Sequence, residues 1–356
     1  MMNTLIKEQT GTGFRSEIRD GAALLELARG WLKQGNPVVA VELLKSAIDT
    51  PEAADDRRIR ASVLKETGRA LMMQSDWGNS EPYYIEAQRV FLDIEDYRGA
   101  SECARNRANM SFQRGQYRHA EELCEQALGW SSTINDHELR ATILNTMAAV
   151  KSATGDTRGA LKTFKLCLAD FQAVGNVIRQ GYVLLNIGLT EIDLHDYNQA
   201  IASLNDALAI ALNEKDLHLV EICYQHIARC YLEQKETILA KSVIDTARKI
   251  LPGLNSKALE VELSVIDCRI LRAMGDFETA EAQLVDSYHA AVEHNLAALQ
   301  ADLLFEQGLL YRDTGRLEQA ESKLNAAAQQ YRQLGVDAGF KEAIQEIEHL
   351  KRRTDR

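Results

Sequence analysis

The chain has 356 residues, and its 46% hydrophobic and 26% charged content is typical of a folded protein rather than a disordered one. Its four prolines, with abundant Ala, Leu, Glu and Gln, favour helices throughout. The net charge of −11, concentrated in residues 181–356, argues against a nucleic-acid-binding surface over the whole molecule. The sequence has no apolar run of transmembrane or signal-peptide length, so we expect a cytoplasmic protein with reduced thiols and no membrane partner.

Residues 1–20 show no apolar stripe and are predicted to form a mobile N-terminal tail. From there to residue 335 the chain repeats itself every forty residues. A turn residue recurs at Gly35, Ser75, Gly115, Gly155, His195, Lys235, Gly275 and Gly315. Five places later comes a small residue at Ala40, Ser80, Ala120, Ala160, Ala200, Ala240, Ala280 and Ala320. Eight copies in one register, without an insertion, indicate an internal repeat.

Each copy is predicted to be a hairpin of two helices. Its first helix carries apolar residues on one face around a small residue, at Ala28, Gly68, Ala108, Ala148, Gly188, Ala228, Cys268 and Gly308. Asp or Asn recurs where the helices should begin and predicts N-caps, at Asn36, Asp56, Asp76, Asp96, Asp136, Asp156, Asn176, Asp196, Asp216 and Asp276. Pro82 predicts that the second helix of copy two starts late, near Asn79 or Ser80.

The chain ends in a segment, residues 336–356, whose apolar residues are spaced as on one helix. These are Phe340, Ile344, Ile347 and Leu350, followed by a basic tail. A single hairpin cannot bury its apolar face alone, so neighbouring copies must stack and the last copy needs a cover. We expect this segment to be that capping helix.

The succession Gly188, His195, Ala200, Leu204 and Ala207 resembles the signature of the tetratricopeptide repeat family, in its forty-residue variety. The resemblance covers roughly residues 20–335. It implies an all-α fold, a right-handed α-solenoid of helical hairpins, here with eight repeats over residues 21–335 and a C-terminal capping helix.

The sequence shows no clear catalytic or metal-binding motif. Its six cysteines form no CxxC pair, and the histidines are not spaced for catalysis with a nucleophile. Cys223, His226 and Cys230 could lie near one another on one helix as half a metal site. Both cysteines, however, occupy positions that are apolar or small in the other copies, which favours packing. We therefore predict no metal, no cofactor and no enzymatic activity.

In the family, the first helix of each repeat lines a concave groove. The equivalent positions here place candidate peptide-binding residues at Lys65, Arg69, Arg105, Asn106, Asn109, Asn145 and Asn186. The first five form a cationic, amide-rich cluster in copies two and three. That cluster resembles part of the carboxylate clamp with which some members hold a peptide's C-terminus.

The match to the clamp is incomplete, because Thr142 and Thr146 stand where the next copy would supply basic residues. The alternative is a solvated helix face with local ion pairs, such as Arg105 with Glu102.

Two functions stay open. The first is a non-catalytic scaffold that binds an acidic segment or a C-terminal carboxylate of a protein or peptide in the groove. The second is a regulator whose superhelix changes pitch on binding a peptide or metabolite, as in bacterial peptide-sensing and maltose-type regulators with similar repeats. The sequence contains no recognisable DNA-binding or enzymatic effector domain, which favours the scaffold. Homo-oligomerisation is left open.

Overall fold

The computed structural model describes residues 20–250 and 257–354, and the regular structure in these ranges is helical, with no strand. The tail predicted for residues 1–20 lies outside the described residues, apart from Asp20, which caps the first helix. By its internal contacts the chain divides into two compact units, residues 1–177 and 178–356, although the forty-residue register runs on unbroken.

Unit 1 contains copies one to four. Its helices are α1 Gly21–Lys33, α2 Pro37–Ile48, α3 Pro51–Asp55, α4 Arg57–Met73, α5 Trp77–Asp93, α6 Tyr97–Gln113, α7 Tyr117–Ser131, α8 His137–Ala153 and α9 Thr157–Ala173. Except for the short α3, they alternate as first and second helices of the predicted hairpins.

Unit 2 contains copies five to eight and one further helix. Its helices are α10 Val177–Asp193, α11 Tyr197–Glu214, α12 Leu217–Glu233, α13 Thr237–Ile250, α14 Lys257–Met274, α15 Phe277–Glu293, α16 Ala297–Asp313, α17 Leu317–Leu334 and α18 Asp337–Thr354. The division between the units falls at the start of α10.

The turns within the hairpins have the same backbone geometry in every copy. All eight turn residues take positive φ, from 59° at His195 to 86° at Gly155. Glycine adopts this left-handed conformation without a steric penalty, whereas Ser75, His195 and Lys235 adopt it at some cost. One left-handed residue reverses the chain and lets the second helix return along the first.

The predicted aspartates cap the helices. In α4, for example, the Asp56 carboxylate accepts the backbone N–H of Arg58 at 2.7 Å, and Asp96 caps α6 through Gly99 at 2.9 Å. Asn36 is an exception, because its side chain makes no capping bond. Pro37 at the first position already removes one of the N–H groups that a cap would serve there.

Small residues let the two helices of a hairpin approach closely. A Cβ atom on Gly188 would lie 2.7 Å from Cγ of Leu204 on the facing helix α11, and one on Gly68 would lie 3.0 Å from the Tyr84 ring. Ala200 is fully buried in the same contact. The small residues Gly68, Gly188 and Ala200 therefore lie where the two helices of a hairpin cross.

Two local features differ from the sequence prediction. Helix α5 begins at Trp77 and carries Pro82 inside it, so the late start expected near Asn79 or Ser80 is wrong. Pro82 stands early in the helix, where its missing N–H forfeits only one bond. The additional helix α3, capped by the Thr50 hydroxyl on the N–H of Ala53 at 3.3 Å, was not predicted.

Helix α18 lies where the capping helix was expected and packs on copy eight. Ala343, Ile347 and Leu350 are buried with Leu324 and Tyr331 of α17 in one apolar cluster. Phe340 and Ile344 pack against the same cluster. Helix α18 therefore extends the stack of unit 2 by one helix beyond the repeats.

Candidate functional site

Within each unit the first helices of consecutive copies lie side by side, and polar side chains bridge from one helix to the next. In unit 1, Arg29 of α1 pairs with Glu66 of α4 at 3.3 Å, and Lys65 of α4 pairs with Glu102 of α6. The Thr146 hydroxyl of α8 then donates to Asn109 of α6 at 3.0 Å. We call the surface that carries these bridges the first-helix face.

Lys65 lies on this face but is not free. Its ammonium binds the carboxylate of Glu102, and Arg98 pairs with the same carboxylate at 3.3 Å. Although burial alone would raise the pKa of Glu102, the charge and hydrogen bond of Lys65, together with Arg98, hold it below its usual value. Glu102 thus neutralises part of the predicted cationic cluster.

Arg69 is compensated in a similar way. Its guanidinium lies 3.3 Å from Glu66, and the Glu66 side chain, only 7% exposed, also receives Arg29 at 3.3 Å. The sequence reading overlooked Glu66. Arg29 and Glu66, like Lys65 and Glu102, are 37 residues apart, an interval that the packing of the helices reveals and the forty-residue repeat does not.

The remaining predicted residues of unit 1 lie on α6 and α8. The Arg105 guanidinium donates to the Asn106 side chain at 2.6 Å, and Asn106 itself is buried. Asn109 accepts from Thr146, and Asn145 is half-buried on α8. Six of the seven predicted residues therefore lie on the adjacent helices α4, α6 and α8 of unit 1. The seventh, Asn186, lies on α10 in unit 2.

A buried hydroxyl lies close enough to this cluster for the charges of Arg105 and Arg69 to act on it. Tyr84 of α5 is fully buried, and its hydroxyl makes no hydrogen bond to any described residue. Burial raises its pKa, and the charges of Arg105 on α6 and Arg69 on α4 act on it in the opposite direction. The Tyr84 hydroxyl is therefore a hydrogen-bond donor without a partner among the described residues, and the charges of both guanidinium groups act on it.

The first-helix face of unit 2 carries more acidic residues. Arg269 of α14 donates to the buried Glu306 of α16 at 2.5 Å, and Arg312 of α16 pairs with Glu346 of α18. Between α12 and α14 the bridge is Gln225, whose amide donates toward Glu262 at 3.5 Å. Unit 2 thus repeats the bridging pattern with a neutral residue at one of its bridges.

The residues considered for a metal site are buried. Cys223 and Cys230 are fully buried, and burial raises the pKa of their thiols to about 12 and about 11. Burial, followed by the charge of Arg229, lowers the pKa of His226 to about 4. In residues 20–250 and 257–354, no three His, Cys, Asp or Glu side chains form a cluster that could hold a metal ion.

None of the described helices has the length and apolar character needed to cross a membrane.

Comparison with protein families accounts for the repeats. Residues 100–173 and residues 182–214 match two family models, each described as a tetratricopeptide repeat. The chain therefore contains tetratricopeptide repeats. The first match covers copies three and four of this repeat protein, and the second covers most of copy five. A comparison with curated protein sequences finds no match.

Solved structures share the fold of the tetratricopeptide repeat protein at low sequence identity. A Rap protein complexed with competence and sporulation factor is 14% identical, with a TM-score of 0.54, over 94% of this chain and 98% of that one. Aspartyl phosphate phosphatase F from Bacillus subtilis is 13% identical, with a TM-score of 0.58, over 94% of each chain. The apo form of the quorum sensor NprR from B. thuringiensis is 12% identical, with a TM-score of 0.59, over 93% and 98%. At these identities the likeness concerns the fold alone.

Proposed function

We propose that this tetratricopeptide repeat protein binds an acidic segment or a C-terminal carboxylate of a protein or peptide on the first-helix face of unit 1. The observation that carries the proposal is the buried Tyr84 hydroxyl, which has no hydrogen-bond partner among the described residues and on which the charges of Arg69 and Arg105 act. A buried donor without a partner costs about 1–3 kcal/mol. An acceptor-rich ligand that reached it would recover that cost.

The surrounding groups favour an anionic ligand. Arg69 and Arg105 supply guanidinium donors, while Asn106 and Asn109 supply amides on the adjacent helix. A planar guanidinium can hold a carboxylate through two parallel hydrogen bonds, which are stronger than neutral ones. The ligand has to compete with Glu66 for Arg69, so each guanidinium should contribute about 1 kcal/mol net rather than the full strength of a new bond.

A second candidate function, a ligand-sensing regulator, is favoured by the same ion pairs. Lys65 and Glu102 join α4 to α6, so a ligand carboxylate that displaced Glu102 from Lys65 would alter the contact between two copies. Rap bound to competence and sporulation factor and the quorum sensor NprR share the fold. Binding would then change the repeat packing as well as occupy the face.

We propose binding without catalysis for this chain, although one structure of the same fold is named a phosphatase. All six cysteines are buried, and burial raises the pKa of the Cys103, Cys124, Cys223, Cys230 and Cys268 thiols. Buried neutral thiols are poor nucleophiles. Catalysis through a cysteine nucleophile is therefore disfavoured, and we expect the purified protein to leave a simple acyl phosphate, such as acetyl phosphate, at its spontaneous rate of hydrolysis.

The test is capture of the partner from the protein's own cells, with the bound species identified by mass spectrometry. The double variant Arg69→Gln with Arg105→Gln should weaken capture by roughly 30-fold, which corresponds to about 2 kcal/mol. Its matched control, Arg118→Gln with Arg229→Gln, removes two charges from exposed positions off this face of unit 1 and should leave capture unchanged.

A captured protein supports the scaffold, and a captured short peptide or metabolite supports the regulator. Equal capture by both double variants would show that the first-helix face of unit 1 is not the binding site.

A further inference from the structure

Copy six departs from the other copies at a buried position of its first helix. The equivalent residues are small or apolar in the other seven copies and are buried in all eight, at Gly21, Ala61, Ser101, Ala141, Gly181, Glu221, Val261 and Ala301. Glu221 is 8% exposed. A carboxyl group therefore occupies a place where the other copies pack a side chain no larger than that of valine.

The Glu221 carboxyl meets a second carboxyl from the next copy. Glu262 of α14 shares the Gln225 side-chain amide with it. The Gln225 amide donates to Glu221 at 3.0 Å and lies 3.5 Å from Glu262. Glu262 occupies the repeat position of Glu102, and Gln225 occupies that of Lys65. The junction of copies six and seven thus lacks the cation that joins copies two and three.

Among the described residues, no cation of α12 or of the helices packed on it forms an ion pair with Glu221 or Glu262. On α13, Lys241 and Arg248 are both bound to Asp267 of α14, at 2.8 Å and 2.6 Å, and the third cation, Lys249, is exposed. On α14, Lys257 pairs with Glu260, and Arg269 and Arg272 pair with Glu306 of α16. Arg229 of α12 itself is exposed. On its other side, α11 offers only the exposed Asp206, Glu214 and Lys215. In residues 20–250 and 257–354, neither Glu221 nor Glu262 forms an ion pair.

Two ionised carboxylates in hydrogen-bonding contact repel each other strongly in a partly buried place. The contact is stable only while one proton is retained between them. Burial first, and then the hydrogen bond and charge of Glu262, raise the pKa of Glu221 to about 8. Glu221 therefore remains protonated at neutral pH in the folded protein.

We propose that a proton shared by Glu221 and Glu262 joins copies six and seven of unit 2, and that its loss loosens this junction. This shared proton is independent of the ligand binding proposed for unit 1. Because the folded pKa lies above the unfolded one, its contribution to stability is fully present at acidic pH. It is lost as the pH rises toward and through about 8.

Thermal unfolding of the full chain between pH 6.5 and pH 9.5, followed by circular dichroism, tests the stability effect. The midpoint of the wild type should fall by roughly 3–6 °C over this range because the pair becomes doubly ionised. Glu221→Ala, which restores the alanine of copies two, four and eight, should flatten most of this dependence. Gln225→Lys, which supplies the cation found at Lys65, should flatten it too and raise the midpoint at pH 9.5.

The proton itself is observed by carboxyl NMR of the protein labelled with 13C-glutamate. One glutamate carboxyl should titrate between about pH 7 and pH 9 in the wild type and be missing from the spectra of Glu221→Ala. The proposal is wrong if every glutamate carboxyl titrates below about pH 6. It is also wrong if Glu221→Ala and the wild type lose stability in parallel as the pH rises.

Discussion

The same repeat position is filled differently in the two units. Between α4 and α6 of unit 1, Lys65 meets Glu102 and forms an ion pair. Between α12 and α14 of unit 2, Gln225 meets Glu221 and Glu262, which have no cation among the described residues. The backbone repeat is therefore common to both units, whereas the chemistry that joins its copies is specific to each junction.

The comparison has opposite consequences for pH dependence. Lys65 and Arg98 keep the pKa of Glu102 low in spite of burial, so the junction in unit 1 is stable above the unfolded pKa and weakens as the pH falls. Glu221 has a raised pKa, so the junction in unit 2 weakens as the pH rises. All three tryptophans, Trp31, Trp77 and Trp130, lie in unit 1 and report on that unit alone by fluorescence.

The largest effect is expected at the end of unit 2, where α18 covers the last repeat. Deleting residues 336–356 would remove Ala343, Ile347 and Leu350 from the apolar cluster that they form with Ala328 and Tyr331 of α17. An apolar surface uncovered in this way promotes association. The truncated protein should aggregate, or lose its cooperative transition, in light scattering and thermal unfolding.

Deletion of residues 1–15 is the matched control and should change neither measurement. Similar behaviour of the two truncations would contradict a capping role for α18.

The next effect is expected when the junction of unit 1 is made like that of unit 2. Lys65→Gln removes the ammonium from Glu102, and since both side chains are at most one-quarter exposed, we expect a loss of about 1–3 kcal/mol. Urea unfolding followed by tryptophan fluorescence should show a lower midpoint at pH 7. Lys65→Gln should also reduce the amount by which the free energy of unfolding falls when the pH is lowered below the unfolded pKa of Glu102.

The matched control is Arg57→Gln, which removes an exposed partner of Asp93 and should cost less than about 1 kcal/mol. If Lys65→Gln were as mild as this control, the ion pair between Lys65 and Glu102 would not join the copies.

Much of this organisation could be predicted from sequence, because it depends on positions that repeat. The left-handed turn at Gly155 and the close helix crossing at Gly188 follow from local backbone requirements. They recur at intervals of forty and are therefore visible in one sequence. Pro82 shows that the expected helix-breaking effect of proline is not always decisive. A proline early in a helix removes only one backbone hydrogen bond, which is not enough to move the start of the helix.

The pairing across copies could not be predicted in the same way. Whether Lys65 meets Glu102, or Gln225 meets two glutamates, depends on how far one copy is rotated and translated against the next. As a result of this rotation and translation, the paired residues are 37 residues apart in the sequence rather than forty. Only the packed structure shows this interval. The sequence therefore places Lys65 and Arg69 on the first-helix face but does not show that Glu102 and Glu66 neutralise them.

The smallest expected effect should be equal in the two units. Ser75 in unit 1 and Lys235 in unit 2 hold φ of 60° and 62°, so replacing either with glycine relieves the same backbone strain. We expect each variant to gain about 0.5–1 kcal/mol in urea unfolding. A gain at one turn and a loss at the other would show that the turns are not equivalent.

The central claim, ligand binding on the first-helix face of unit 1, is tested most directly by photo-crosslinking. A photoreactive amino acid is placed at Ala149 of α8, which occupies the repeat position of Asn109 without taking part in the bridges, and separately at the exposed Arg118 of α7. We predict that the captured partner crosslinks from position 149 and that Arg69→Gln with Arg105→Gln abolishes this crosslink. A crosslink from position 118 but not from position 149 would contradict the account.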